Sequence, residues 1–228
     1  HLFDWDEINF AESAREMLLT GNWFQVQINF EPFWEKPPLF FWMQVLSMKA
    51  FGINEFAARF PNAICGIVTL QVLFSIGLKW HSRTFAWAWT LLYSGSILPF
   101  LYFKSGIIDP WFNLFIFLSV YYLFLTLEFP QKGLLKNAAI AGLLSGLAIL
   151  TKGPVGLLLA ILTFFVWLVF NRFKKRVSPI SVLVFAMTAG LVSSAWFGYE
   201  VYKNGPWFLI EFIQYQIDLF SRPVAGHN

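Results

Sequence analysis

Residues 137–171, NAAIAGLLSGLAILTKGPVGLLLAILTFFVWLVFN, form two apolar runs joined at Lys152-Gly153-Pro154, with Lys152 as their only charged residue. A helix needs about 20 mostly apolar residues to cross the hydrocarbon core of a bilayer. The stretch therefore reads as two membrane helices that turn at a surface. Working outward, comparable runs cover 60–78, 84–103 and 108–127 before it and 179–200 after it, giving six with 137–151 and 154–171. Hydrophobic residues make up 57% of the 228 residues and charged ones 13%, too little polar surface for a soluble domain. The expected fold is an all-α polytopic membrane protein of about six transmembrane helices, with interfacial helices in the first outer loop and after the last span. One membrane-embedded domain is expected over 1–228: an outer loop at 1–59, transmembrane helices at 60–200, and an outer interfacial helix and loop at 201–228.

The loops fix the orientation. Lys79 and Arg83 follow the first span, Lys132 and Lys136 the third, and Arg172, Lys174, Lys175 and Arg176 the fifth. These are eight of the sixteen Lys and Arg, with Glu128 as the only acid among them. The positive-inside rule assigns the three loops to the cytoplasm. The outer side then receives 1–59, 104–109, 152–154 and everything after about Tyr199, including twelve of the thirteen carboxylates. The net charge of +3 is accounted for by this topology and calls for no nucleic-acid partner. The lone Cys65, inside an apolar run, reads as a packed side chain. The chain starts at His1 with no secretory leader, and is expected to be a piece of a longer protein that lacks an N-terminal helix and C-terminal sequence.

The first sixty residues do not read as a span. Ile8 to Leu19 is apolar at Ile8, Ala11, Ala14, Leu18 and Leu19, with Glu12, Arg15 and Glu16 between them, which predicts an interfacial helix with a wet face. Pro38 to Phe51 predicts a second, and Phe208, Phe212, Tyr215 and Leu219 give the segment after the last span an apolar stripe of its own.

Several outer residues have the chemistry of a site, each with a plainer alternative. Asp6-Glu7 opens the first helix, where acids also favour the macrodipole. Asp109 returns to the same level before Pro110, where it also suits an N-cap. In Glu35-Lys36-Pro37-Pro38 the residue before proline is held extended, so a carboxylate and an ammonium stand at a helix N-terminus that suits a phosphate; a turn with an incidental ion pair is the alternative. Lys152 beside hydrocarbon has a partner or snorkels to the headgroups, and Arg59 is either an anchor or a phosphate contact. Arg222 and His227 follow the last helix on the same side. Residues 6, 35, 36, 109 and 152 are expected to converge at one exterior pocket. No phosphate-binding glycine loop, dinucleotide fingerprint or His/Cys zinc set occurs, which leaves nucleotide-driven chemistry without support.

These motifs resemble those of the GT-C superfamily of membrane glycosyltransferases, specifically the aminoarabinose-transferase-like enzymes related to protein O-mannosyltransferases. The resemblance rests on Trp5-Asp6-Glu7, Ala11 to Met17, Gly21-Asn22-Trp23, Glu35 to Leu39, Asn54 to Arg59, Asp109 and Leu150 to Pro154. It implies inverting transfer of a sugar from a polyprenyl-phosphate donor, such as undecaprenyl phosphate, to a glycan, lipid or protein acceptor, with no nucleotide sugar. The setting would be the outer face of a bacterial cytoplasmic membrane. By the resemblance Asp6 and Asp109 are the catalytic acids, Asp6 as the general base, while Glu7, Lys36, Arg59 and Lys152 hold or neutralise the donor phosphate in a pocket that Asp109 also supports. Some relatives bind a divalent metal through the Glu of the Glu-Lys-Pro-Pro motif and a later His. Glu35 is present, but the His position aligns with Gln216. The alternative reading is a transporter or lipid flippase, which would place charges near the bilayer midplane rather than at one surface.

Overall fold

The structure, a computed structural model, describes residue 2, residues 5–174 and residues 177–221. They form α1 (Trp5–Thr20), β1 (Gln27–Ile28), β2 (Glu31–Pro32), α2 (Leu39–Phe51), α3 (Glu55–Trp80), α4 (Arg83–Ser94) and α5 (Ile97–Lys104). These are followed by α6 (Asp109–Glu128), α7 (Leu134–Lys152), α8 (Val155–Phe170), α9 (Pro179–Asn204) and α10 (Trp207–Ser221). Among the described residues four helices, α3, α6, α7 and α9, are long and apolar enough to cross a membrane. The chain is a multi-pass membrane protein. Its packing divides into two compact units, one of residues 1–32 and 39–114, the other of 33–38 and 115–228.

In the first unit, α1 packs on α2 and α2 on α3, with Phe10 meeting Phe40 and Phe41 edge-on at centroid distances of 6.3 and 5.6 Å. The expected wet face of α1 holds for Glu12 and Arg15 but not for Glu16. Glu7, Ser13 and Glu16 are buried with Phe10, Ala14 and Met17, while Trp5, Ile8 and Leu19 are exposed. A buried carboxylate needs compensating donors, and each acid has them. Glu16 Oε2 accepts the Phe30 N–H at 2.8 Å, holding a two-residue turn whose Asn29 and Phe30 both have positive φ, the geometry that suits a tight hairpin. Glu7 is taken up below.

Helix α3 starts at Glu55, earlier than the expected 60, because Asn54 caps it: its side chain accepts the Ala57 N–H at 2.8 Å. The expected second span, 84–103, is broken into α4 and α5. Ser94 and Ser96 hydroxyls donate to the Leu91 and Leu92 carbonyls, drawing the last turn of α4 into side-chain bonds, and Pro99 brings no N–H to the start of α5. Both pieces lie close to α3 at glycines: a Cβ on Gly77 would sit 2.9 Å from Ala86, and one on Gly66 would sit 2.9 Å from Phe103.

The second unit is centred on α7 and α9. Small residues let membrane helices approach closely. A Cβ on Gly142 would fall 2.0 Å from Thr188 Oγ1, and one on Gly146 would fall 2.7 Å from Val192 Cβ. Ser119 of α6 donates to the Ala141 carbonyl at 2.9 Å, and Gly156 brings α8 against Ala148. The expected fifth span, α8, has 16 residues and reaches only about 24 Å, short of a full crossing of about 30 Å.

Candidate functional site

Glu7 organises one end of the first unit. It is fully buried in the first turn of α1, next to the exposed Asp6. Its Oε1 accepts from Arg59 Nε at 2.7 Å and from the Gly106 N–H at 2.6 Å, and its Oε2 accepts from Arg59 Nη2 at 2.9 Å. The fork-on-carboxylate pairing is the strong form of this interaction. It joins the starts of α1 and α3 to the connection that leads into α6. Asp6, Arg59 and Asp109 therefore stand at the same end of this unit, with Lys79 and Arg83 at the far end of α3. Helix α6 opens with the Phe112 N–H donating to the Ile108 carbonyl, and half-buried Asp109 stands in its first turn.

The connection itself, 105–108, is gripped by side chains that sequence reading passed over. Asn62 Nδ2 donates to the Ser105 and Ile107 carbonyls at 2.6 and 2.7 Å. Gln44 Nε2 donates to the Ala58 carbonyl at 3.0 Å and to the Gly106 carbonyl at 3.4 Å. Trp111 Nε1 donates to the Pro61 carbonyl at 3.1 Å. On the outer surface of α1, Arg15 donates to both Glu12 oxygens. That hydrogen bond, more than the charge attraction, holds the Glu12 carboxyl below the usual carboxylate range.

In the second unit, α10 gathers the Glu-Lys-Pro-Pro segment. Trp34 rests on Trp207 and Phe208 at centroid distances of 5.9 and 5.1 Å, and Tyr215 Oη donates to Glu35 Oε2 at 2.5 Å. One turn back, Phe212 lies against the Lys152-Gly153-Pro154 turn. A Cβ on Gly153 would come within 3.1 Å of the Phe212 ring and 3.6 Å of Gln216 Cδ. The left-handed φ of +86° there also calls for glycine. Lys36 and Lys152 are half-buried, and Lys152 ends α7, where the helix dipole favours a cation. The two prolines precede α2 rather than entering its first turn, since the helix opens at Leu39. Arg222 and His227 lie outside the described residues.

The donor set does not fit a resident metal of the kind the resemblance implies. Glu35 is engaged by Tyr215, position 216 offers an amide, and among the described residues no three His, Cys, Asp or Glu are grouped to hold an ion. Tyr215 was legible only as part of an apolar stripe; its hydroxyl and a carboxylate 180 residues earlier are joined by the fold alone.

Known proteins resemble this chain in sequence and in fold. A family model described as dolichyl-phosphate-mannose-protein mannosyltransferase matches residues 35–197. The undecaprenyl phosphate-alpha-4-amino-4-deoxy-L-arabinose arabinosyl transferase 1 of Proteus mirabilis (strain HI4320) is 31% identical over 193 residues, covering 81% of this chain and 35% of that protein. Transferase 2 of the same name from Pseudomonas fluorescens (strain Pf0-1) is 28% identical over 196 residues, covering 84% of this chain and 35% of that one. The crystal structure of ArnT from Cupriavidus metallidurans in the apo state superposes on the whole chain with a TM-score of 0.82 at 22% identity, over 41% of its own length. The same protein bound to undecaprenyl phosphate gives 0.79 at 23% identity, covering 93% of this chain and 40% of that one. The chain thus spans 35–41% of the length of these relatives, and the structural likeness shows a shared fold.

Proposed function

The chain belongs to the dolichyl-phosphate-mannose-protein mannosyltransferase family, and on that premise we propose that it forms part of an enzyme that transfers a sugar from a polyprenyl-phosphate donor to an acceptor hydroxyl. The reaction takes place at the outer face of a bacterial cytoplasmic membrane, which α3, α6, α7 and α9 are long and apolar enough to cross. The observation that carries the reading is the Glu7 tie, which sets Asp6 and Asp109 at one end of their unit, on the side opposite the basic loop at Lys79 and Arg83. A transporter would instead carry its charges midway along the helices.

In this mechanism Asp6 takes the proton of the acceptor hydroxyl as its oxygen bonds to the anomeric carbon. The bond from that carbon to the phosphate oxygen breaks, and polyprenyl phosphate leaves with the electron pair, inverting the centre. A positioned base contributes about 10²–10⁴ in rate to such a step. Lys36, Lys152 and Arg59 offset the charge that grows on the departing phosphate, the electrostatic contribution that is largest where water is excluded. Glu7 takes part through Arg59, whose guanidinium it orients, and Asp109, the second catalytic acid, supports the same pocket. No step is assigned to a metal.

The test is release of polyprenyl phosphate from sugar-loaded donors by the full-length protein in proteoliposomes supplied with envelope extract as acceptor. Transfer is expected, and Lys36→Ala is expected to raise the donor KM by about tenfold with a smaller change in kcat, the pattern of lost ground-state binding. A protein that releases no polyprenyl phosphate from any such donor would overturn the reading, and an unchanged donor KM would remove Lys36 from phosphate binding.

A further inference from the structure

Three helices each send a buried polar side chain to one four-residue connection. Gln44 from α2 and Asn62 from α3 are both fully buried, as is Glu7 from α1. All three converge on the backbone of 105–107. Asn62 bridges the Ser105 and Ile107 carbonyls with one amide group, so the peptides between them cannot rotate without breaking a bond. Gly106 makes the convergence possible: a Cβ there would lie 3.1 Å from the Ala58 carbonyl oxygen, 3.2 Å from Gln44 Nε2 and 3.4 Å from Glu7 Oε1.

The two amides are a poor bargain for stability alone. Their oxygens, Gln44 Oε1 and Asn62 Oδ1, are buried with no protein hydrogen-bond donor. Burying an unsatisfied acceptor is unfavourable, and an apolar side chain of the same size would avoid it. What the amides provide, and an apolar side chain would not, is a fixed backbone immediately before Asp109. On the other side, the Trp111 bond to the Pro61 carbonyl pins the first turn of α6. Asp109 is thus bracketed by bonds to α1, α2 and α3.

We propose that Gln44 and Asn62 are positioning residues for Asp109, acting through the Ser105–Ile107 backbone and not on the substrate. The proposal rests on the catalytic reading of Asp109 given above. A displacement of about 1 Å of a reacting group costs on the order of 10²-fold in rate, so loosening this bracket has a kinetic signature.

The experiment uses the full-length protein in proteoliposomes with Asn62→Leu and Gln44→Met, which remove the donors at similar volume, and Asn62→Ser as a milder variant where Asn62→Leu does not accumulate. Each is expected to lower kcat by about 10- to 100-fold and to leave the donor KM within about threefold. In an Asp109→Asn background the same substitutions are expected to cause no further fall, because residues acting as a unit are not additive. Hydrogen exchange of the peptide spanning 104–112 is expected to quicken at least tenfold in Asn62→Leu. Unchanged exchange overturns the clamp whatever the protein transfers. An equal fractional loss in both backgrounds overturns the positioning role while leaving the catalytic reading of Asp109 intact. Wild-type turnover by Asp109→Asn overturns that catalytic reading, and the positioning role with it, even where exchange shows the clamp.

Discussion

At the scale of single residues, the fate of the acids decides how the outer end is built. Glu7 sits at 0% exposure with both oxygens taken by Arg59 and Gly106, while Glu12 and Arg15 form a pair in which both partners are about a third exposed or more. Solvent screens the second pair to about 1 kcal/mol or less. What it contributes is present above the ordinary Glu value of 4.5 and fades as pH falls through the lowered value. Removing one partner of the buried pair is a different matter. Glu7→Ala is expected to destabilise the protein by about 3 kcal/mol in denaturant unfolding in detergent. Adding Arg59→Ala is expected to cost little more, since the two act as a unit. A Glu7→Ala protein within about 0.5 kcal/mol of wild type would mean that the tie is not structural. The motif Glu35-Lys36-Pro37-Pro38 was legible because prolines announce backbone geometry in the sequence itself. Gln44, Asn62 and Tyr215 were not, because a single polar group in an apolar helix reads as an interruption until its partner, 14 to 180 residues away, is known. Periodicity also misassigned Glu16 in α1: it counts a carboxylate as wet, whereas a matched donor made it inward-facing.

At the scale of elements, long apolar runs predicted α3, α6, α7 and α9 well, because the hydrocarbon thickness imposes a length that composition reveals directly. The run at 84–103 failed as a single helix because hydropathy does not register the serine hydroxyls and the proline that divide α4 from α5. Helix contacts were equally hidden, since a glycine's value depends on what faces it. Gly142 and Gly190 both sit in apolar helices, yet a Cβ on Gly142 meets Thr188 Oγ1 at 2.0 Å and the Phe185 carbonyl oxygen at 2.4 Å, and one on Gly190 meets nothing within 4 Å. Gly142→Ala is therefore expected to lower stability by about 1–3 kcal/mol, and Thr188→Ala is not expected to restore it, because the backbone carbonyl remains in the way. Gly190→Ala is expected to be neutral or to raise stability by up to about 1 kcal/mol through helix propensity. Thermal unfolding of the three variants in the same detergent checks this. Equal effects of Gly142→Ala and Gly190→Ala would contradict the close α7–α9 contact.

At the scale of the whole molecule, charge sorts by helix end in each unit. The first has Asp6, Arg59 and Asp109 at one end and Lys79 and Arg83 at the other. In the second, Glu35 and the Lys152 turn are gathered by α10, while Lys136 in the first turn of α7, and Lys132 and Arg172 in the connections, lie at the opposite ends of α7 and α8. Such sorting is what the positive-inside rule produces in a multi-pass membrane protein. It was legible from loop charge alone, because bilayer topology writes itself into the Lys and Arg distribution. The proposed reaction rests, at the level of sequence, only on the family motifs, since composition and hydropathy are the same for a transporter of equal span. The most direct measurement is the single-turnover rate of sugar transfer from a polyprenyl-phosphate donor by full-length Asp6→Asn in proteoliposomes. The account predicts a rate lower by about 10²–10⁴ with donor affinity retained; transfer at the wild-type rate would contradict it.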